Sequence, residues 1–159
     1  MVFIRTKKIK NKEYAYLVEN TYRKRGNPVR QKTKQYLGRV KVPKRVSSLH
    51  FIKWLNPENP KVYMDKSSEV EIVSDLVRWE LDKHNEIRNE KVVLKINHGF
   101  LCDYTLHNIQ KILRKIKQES FQNKEAYERD YAIELAEAFV KAGIEIPESV
   151  FIALFKKLI

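Results

Sequence analysis

The spacing of apolar residues changes near residue 48, and this change limits the folds open to the 159-residue chain. Before it, apolar and polar residues alternate as in β-strands, in three runs over residues 2–10, 13–22 and 29–36 separated by turn formers. After it, apolar residues recur at helical spacing. The pattern predicts an α+β protein with an N-terminal three-stranded antiparallel β-sheet followed by a mainly α-helical domain. We place the domains at residues 1–47 and 48–159.

Local signals predict where these elements begin and end. Gly38 is expected to end the third strand, and Ser67 or Ser68 can cap a helix whose first turn carries two acidic residues. Gly143 is expected to end a helix as its C-terminal cap, in the left-handed conformation that glycine adopts readily. We expect four or five helices and one short extended segment near 91–96. A loop is expected over residues 57–60 and a turn over residues 97–99. The helices are expected over residues 49–55, from 68 to 84, over 103–118 and 124–142, and from Pro147 onward.

The last helix is strongly apolar, which leaves two interpretations open. It carries Val150, Phe151, Leu154 and Phe155 within a few turns. A helix of this kind either closes the hydrophobic core or offers a surface for self-association. Closing the core is the favoured interpretation, and self-association is the alternative.

Positive charge is concentrated in the first third of the chain. Residues 1–47 hold 15 of the 32 Lys and Arg residues and only two of the 20 acidic residues, a formal net charge of +13. The remaining 112 residues carry a net charge of −1. Charge gathered in one segment creates a local field that attracts a polyanion, whereas charge that serves solubility is spread over the surface. The asymmetry predicts nucleic-acid binding by the N-terminal region.

The third predicted strand carries cations at every second position. Strict alternation would put Arg30, Lys32, Lys34 and Tyr36 on one face of the sheet, where the cations can contact phosphates and nearby aromatic rings can stack on bases. The alternative is a solvated face whose lysines protect an edge strand. The residues expected to contact nucleic acid are the cations and tyrosines of the region: Arg5, Lys7, Tyr14, Tyr16, Arg23, Lys24, Arg25, Arg30, Lys32, Lys34, Tyr36, Arg39, Lys41, Lys44 and Arg45.

Part of this region resembles a known family. The segments Tyr-Ala-Tyr-Leu-Val-Glu-Asn at 14–20, Val-Arg-Gln-Lys-Thr at 29–33 and Tyr-Leu-Gly-Arg at 36–39 are similar to the N-terminal β-rich segment of DDE transposases from bacterial and archaeal insertion sequences. The resemblance covers about residues 1–40 and includes no part of the catalytic domain, so it implies no catalytic residue. It implies a nucleic-acid-contacting module that uses Tyr14, Tyr16, Arg30, Lys32 and Tyr36.

The kind of nucleic acid stays open at this point. A small basic protein with exposed tyrosines favours structured RNA or a ribonucleoprotein such as the ribosome. The transposase resemblance favours DNA, which is the close alternative. A third possibility is a protein–protein adaptor whose basic hairpin docks on an acidic partner. The helix predicted over 103–118 carries cations outside its stripe of apolar residues. It is a further candidate contact surface.

We expect a protein that is not an enzyme. His98, Cys102 and His107 lie close in sequence, but their spacing is not that of a zinc site, and an isolated cysteine is more often a small buried residue. Acidic residues that could hold a metal ion leave nuclease activity as a minor alternative; they are Asp65, Glu69, Asp75 and Glu90. No phosphate-binding or dinucleotide motif is present. We therefore expect no cofactor and no metal. With one cysteine, no signal-like stretch and no apolar run of roughly 20 residues, the expected location is the cytoplasm, without membrane contact.

Overall fold

A computed structural model describes residues 1–22, 29–120 and 128–159. The described chain forms five strands and six helices, which makes the protein α+β. The strands are β1 (Val2–Ile9), β2 (Lys12–Thr21), β3 (Arg30–Lys41), β4 (Val92–Ile96) and β5 (Gly99–Leu101). The helices are α1 (Phe51–Leu55), α2 (Pro60–Lys66), α3 (Glu69–Lys83), α4 (Asp103–Glu119), α5 (Glu128–Ala142) and α6 (Glu148–Lys156).

The five strands form one mixed sheet in the order β1-β2-β3-β4-β5. Neighbouring strands are antiparallel except for β3 and β4, which run parallel. The prediction of a separate three-stranded antiparallel sheet is therefore wrong. A parallel neighbour requires a long crossover, and helices α1 to α3 supply it between β3 and β4. The helical region thus contributes two strands to the sheet that the N-terminal region begins.

Gly38 lies inside β3 rather than at its end, which corrects the predicted strand boundary. Its φ of +144° suits glycine, and a Cβ atom there would come within 2.7 Å of the carbonyl oxygen of Lys91. The Arg39 amide donates to that same oxygen over 3.1 Å. Glycine lets the chain preceding β4 approach closely, so β3 continues to Lys41 and pairs with β4.

Tight turns close the β1–β2 and β4–β5 hairpins. Lys10 and Asn11 join β1 to β2, and Asn97 and His98 join β4 to β5, all four with positive φ. Two-residue turns with both residues in the left-handed region match the twist of antiparallel strands. The turn predicted at 97–99 is confirmed, but the three-residue strand that starts at Gly99 went unpredicted.

Most of the predicted helices are present, although the described chain has six rather than four or five. The predicted start of the helix over 124–142 lies outside the described residues. Ser68 caps α3 through a capping box with Glu71, α5 ends before Gly143 with its φ of +70°, and β4 falls in the predicted extended segment. Helix α2 went unpredicted because the Pro-rich stretch 57–60 suggested only a loop. Its first turn is capped by the Asn59 side chain, which accepts from the amides of Lys61 and Val62, and proline is well suited to the first helical position.

The main core lies between the helices and one face of β4 and β5. Leu94, Ile96 and Leu101 pack there with residues from α1, α3, α4, α5 and α6. A smaller cluster on the other face contains Ala15 and Val93. Val150 and Leu154 of α6 are buried in the main core, which is the core-closing arrangement. Self-association through this helix stays a prediction.

In the part of the chain that the structure describes, no helix has the length and apolarity needed to cross a lipid bilayer.

Candidate nucleic-acid interface

The N-terminal end of the sheet extends beyond the helical layer. We call this part the sheet arm; it consists of β1, β2 and residues 30–39 of β3. Residues 29–36 are all exposed, whereas β4 carries three buried residues among its five. The helices pack on the face of the sheet that holds Leu94. The same face of the sheet arm carries polar and aromatic side chains together with the buried Val18.

Two irregularities in β3 decide which side chains share a face of the sheet arm. The register with β2 shifts by one residue at Leu37 and again at Lys34. Each shift inserts an extra residue and changes the alternation of faces. Tyr36 consequently lies on the face opposite Arg30 and Lys32, so the prediction that these residues share one face is wrong.

Strand register assembles a different set of side chains on one face. Directly paired residues point to the same side of a sheet. One row across the three strands contains Arg5, Tyr16 and Tyr36, and the next row contains Lys7, Tyr14 and Arg39. Tyrosines therefore occupy β2 in both rows and β3 in the first row, with cations on β1 in both rows and on β3 in the second. We call this surface the tyrosine face: Arg5, Lys7, Tyr14, Tyr16, Tyr36 and Arg39.

The rings of the tyrosine face contact each other. The Tyr36 centroid lies 5.4 Å from that of Tyr16 and 6.4 Å from that of Tyr14, with tilted planes in both pairs. The Lys7 ammonium lies 5.4 Å from the Tyr16 centroid, within cation–π range. The Arg5 guanidinium donates to the side-chain carbonyl of Gln31. Tyr14 and Tyr16 are half-buried, while Tyr36 keeps 53% of its surface exposed.

The opposite face of the sheet arm carries the other predicted β3 cations. Arg30 and Lys32 are exposed there, paired in register with Thr21 and Glu19. Lys34 forms an ion pair with Glu19 over 3.0 Å. The hydrogen bond from Lys34 lowers the pKa of Glu19 below its ordinary value, so part of the positive charge on this face is compensated.

The predicted cations of the connector after β3 differ in their contacts. Lys41 pairs with Glu86 over 2.7 Å, and Arg45 pairs with Glu145 over 3.2 Å. Lys44 is exposed. These ion pairs hold the connector against the helical region and leave Lys41 and Arg45 less available to contact phosphates. The predicted contacts Arg23, Lys24 and Arg25 lie outside the described residues.

The alternative surface on α4 is also partly neutralised. Lys115 pairs with Glu134 over 2.9 Å and Lys117 pairs with Glu69 over 2.6 Å. The pKa of Lys115 is raised and that of Glu69 is lowered, in each case chiefly by the hydrogen bond within the pair. Exposed Lys111 and Arg114 remain on this helix.

A buried ionic cluster was not anticipated from the sequence. The Lys83 ammonium contacts a Glu80 oxygen at 3.0 Å and a Glu145 oxygen at 2.7 Å, and it lies 3.8 Å from the Trp79 centroid. Glu80 also accepts from the Asn97 side chain and the Glu145 amide. Because each of these polar groups contacts another, the cluster fastens α3 to the β4–β5 turn and to the segment after α5. The helical spacing of Glu80 and Lys83 was visible, but their burial was not.

Residues considered for catalysis have structural contacts instead. Cys102 is buried before the first turn of α4, where its amide binds the Thr105 hydroxyl. Asp75 accepts from the Tyr63 hydroxyl over 2.7 Å; burial and this carboxylate raise the pKa of Tyr63. Within the described ranges, no three His, Cys, Asp or Glu side chains are placed to share a metal ion.

Comparison of the chain with protein-family models, curated proteins and solved structures finds no match. The resemblance to the transposase segment stays a prediction, and the tyrosine face is the surface whose chemistry carries the functional argument.

Proposed function

We propose that this protein binds nucleic acid without catalysing a reaction, and that the tyrosine face of the sheet arm is its contact surface. One observation carries the proposal: a face on which three tyrosines, of which Tyr36 is exposed, lie beside the exposed cations Arg5, Lys7 and Arg39. Cations neutralise phosphates, and aromatic rings provide stacking surfaces for bases. The net charge of +13 over residues 1–47 adds a longer-range attraction to a polyanion.

Structured RNA, alone or in a ribonucleoprotein such as the ribosome, is the target that we favour. Its loops and bulges display bases to a protein surface, which suits a contact face that combines rings with cations. DNA is the alternative target, and the resemblance to a transposase segment supports it. An acidic protein partner is the remaining alternative, since Arg5, Lys7 and Arg39 could also bind carboxylates.

The proposal predicts a steep dependence of affinity on salt, because each neutralised phosphate releases counterions. Replacement of Arg5, Lys7 and Arg39 together by Gln is expected to weaken binding by roughly 50-fold at 0.15 M salt. The same change should reduce the slope of log K against log salt by about 2 for a single-stranded ligand. Fluorescence anisotropy with a labelled RNA stem-loop, repeated across salt concentrations, measures both quantities.

Three other cations provide a matched control. Replacement of Lys111, Arg114 and Lys117 by Gln removes the same number of positive charges from α4, in the helical region. This variant is expected to lose much less affinity than the sheet-arm variant. Equal losses would place the contact elsewhere, and binding that survives nuclease treatment of a lysate would favour a protein partner.

A further inference from the structure

We propose that the tyrosine face recognises unpaired nucleotides, with a base stacked on Tyr36 and the adjoining phosphates held by Arg5, Lys7 and Arg39. The inference rests on the proposed function and specifies the chemical form of the nucleic acid. Its ligand is a base that is free of a pairing partner, on a phosphate backbone, as found in a single strand, a loop or a bulge.

Tyr36 is the stacking ring because it combines exposure with support. More than half of its surface is open, and Tyr14 and Tyr16 contact it at centroid distances of 6.4 and 5.4 Å. Tilted aromatic pairs are favourable arrangements, so the two half-buried rings hold the third in place. A base that covers Tyr36 gains stacking and removes apolar surface from water, while little side-chain freedom is lost.

Strand geometry places the cations where a bent single strand can reach them. Tyr36 lies on β3 in the same row as Arg5 of β1, with Tyr16 of β2 between them, and Arg39 lies in the next row along β3. Two strand spacings amount to about 10 Å, and residues two apart along a strand are about 6.5–7 Å apart. Phosphates on either side of a stacked base therefore have cations within reach.

A duplex does not offer the same contacts. Its bases stack on one another, so their faces are closed and only their edges are presented in the grooves. The B-DNA major groove is about 12 Å wide and admits a two-stranded ribbon. The tyrosine face spans three strands, whose backbones alone cover about 10 Å before side chains are added. Unpaired nucleotides avoid both difficulties.

The test compares ligands whose bases are unpaired, paired or absent. Labelled oligouridylate and oligodeoxythymidylate serve as single strands, each paired with its complement as the duplex, and an abasic deoxyribose-phosphate oligomer of equal length retains the charge. Fluorescence anisotropy is measured with the full chain, with Tyr36→Leu and with Tyr36→Phe. The Arg30→Gln, Lys32→Gln double variant is the control for charge on the opposite face. The two single strands separate an RNA target from a DNA target.

The wild-type chain is expected to bind single strands more tightly than duplexes. Tyr36→Leu should weaken binding to the base-containing single strands by roughly 5- to 150-fold and leave the abasic oligomer unchanged. Tyr36→Phe should keep the wild-type affinity because it keeps the ring. The Arg30→Gln, Lys32→Gln double variant should change the affinity for base-containing and for abasic strands by the same factor.

Three results would overturn the inference. Duplex binding as tight as single-strand binding would remove the preference, and an equal loss for abasic and base-containing strands would show that Tyr36 does not stack. With either result the proposed function would stand. Absence of binding to every oligonucleotide would overturn the inference and the proposed function together.

Discussion

The sheet arm and the buried ionic cluster use the same kinds of side chain in opposite ways. In the cluster, Lys83 is 1% exposed and contacts two carboxylates. On the tyrosine face, Arg5, Lys7 and Arg39 are exposed around aromatic rings. A buried charge must be paired because its desolvation cost is large, whereas an exposed charge keeps its hydration and can exchange it for a ligand. The comparison separates cations that hold the fold together from cations that are available to a partner.

The largest expected effect lies in the cluster. Lys83→Met leaves the carboxylate of fully buried Glu80 without its cation, and such a loss costs about 3–5 kcal/mol in the free energy of unfolding. Lys115→Met breaks the surface pair with Glu134 and should cost less than about 1 kcal/mol. Urea unfolding followed by circular dichroism measures both variants. Similar losses would mean that the cluster contributes no more than a surface pair.

A smaller effect is expected from the pH dependence of Glu145. Burial acts to raise its pKa, but the hydrogen bond and charge of Lys83 and the charge of Arg45 prevail and hold the pKa below 4.5. A lowered pKa contributes stability that is present above the unfolded value and is lost as the pH falls through the folded value. The difference in unfolding free energy between wild type and Glu145→Gln should therefore be largest near neutral pH and shrink below about pH 4.5. A difference that is constant with pH would contradict this account of the cluster.

Local sequence signals predicted much of the helical region. The Ser68 capping box and the Gly143 cap depend on residues close in sequence, so the boundaries they set could be derived from composition and spacing. The parallel pairing of Arg39 with Val92 joins segments about 50 residues apart and has no local signature. The prediction of a three-stranded antiparallel sheet was wrong for that reason.

The tyrosine face could be predicted only in part. Its six residues were all among the candidates, because their types and the charge of the region are visible in the sequence. Their grouping was not predictable, since the extra residues at Lys34 and Leu37 alter the faces of β3. A bulge is decided by pairing with the neighbouring strand, and alternation within a single strand does not reveal it. A glycine inside a strand can mark a bulge, and Gly38 offered this signal. From the sequence alone, Gly38 was interpreted as the end of the strand.

Photocrosslinking tests the central claim most directly. The full chain is irradiated in complex with an RNA that contains photoreactive thiouridine in a single-stranded loop, and tryptic peptides are then analysed by mass spectrometry. Cleavage after Lys34 and Arg39 yields a peptide in which Tyr36 is the only aromatic residue. The account predicts nucleotide adducts on this peptide and on the one that contains Tyr14 and Tyr16. Adducts confined to α4, with none on the tyrosine face, would contradict it.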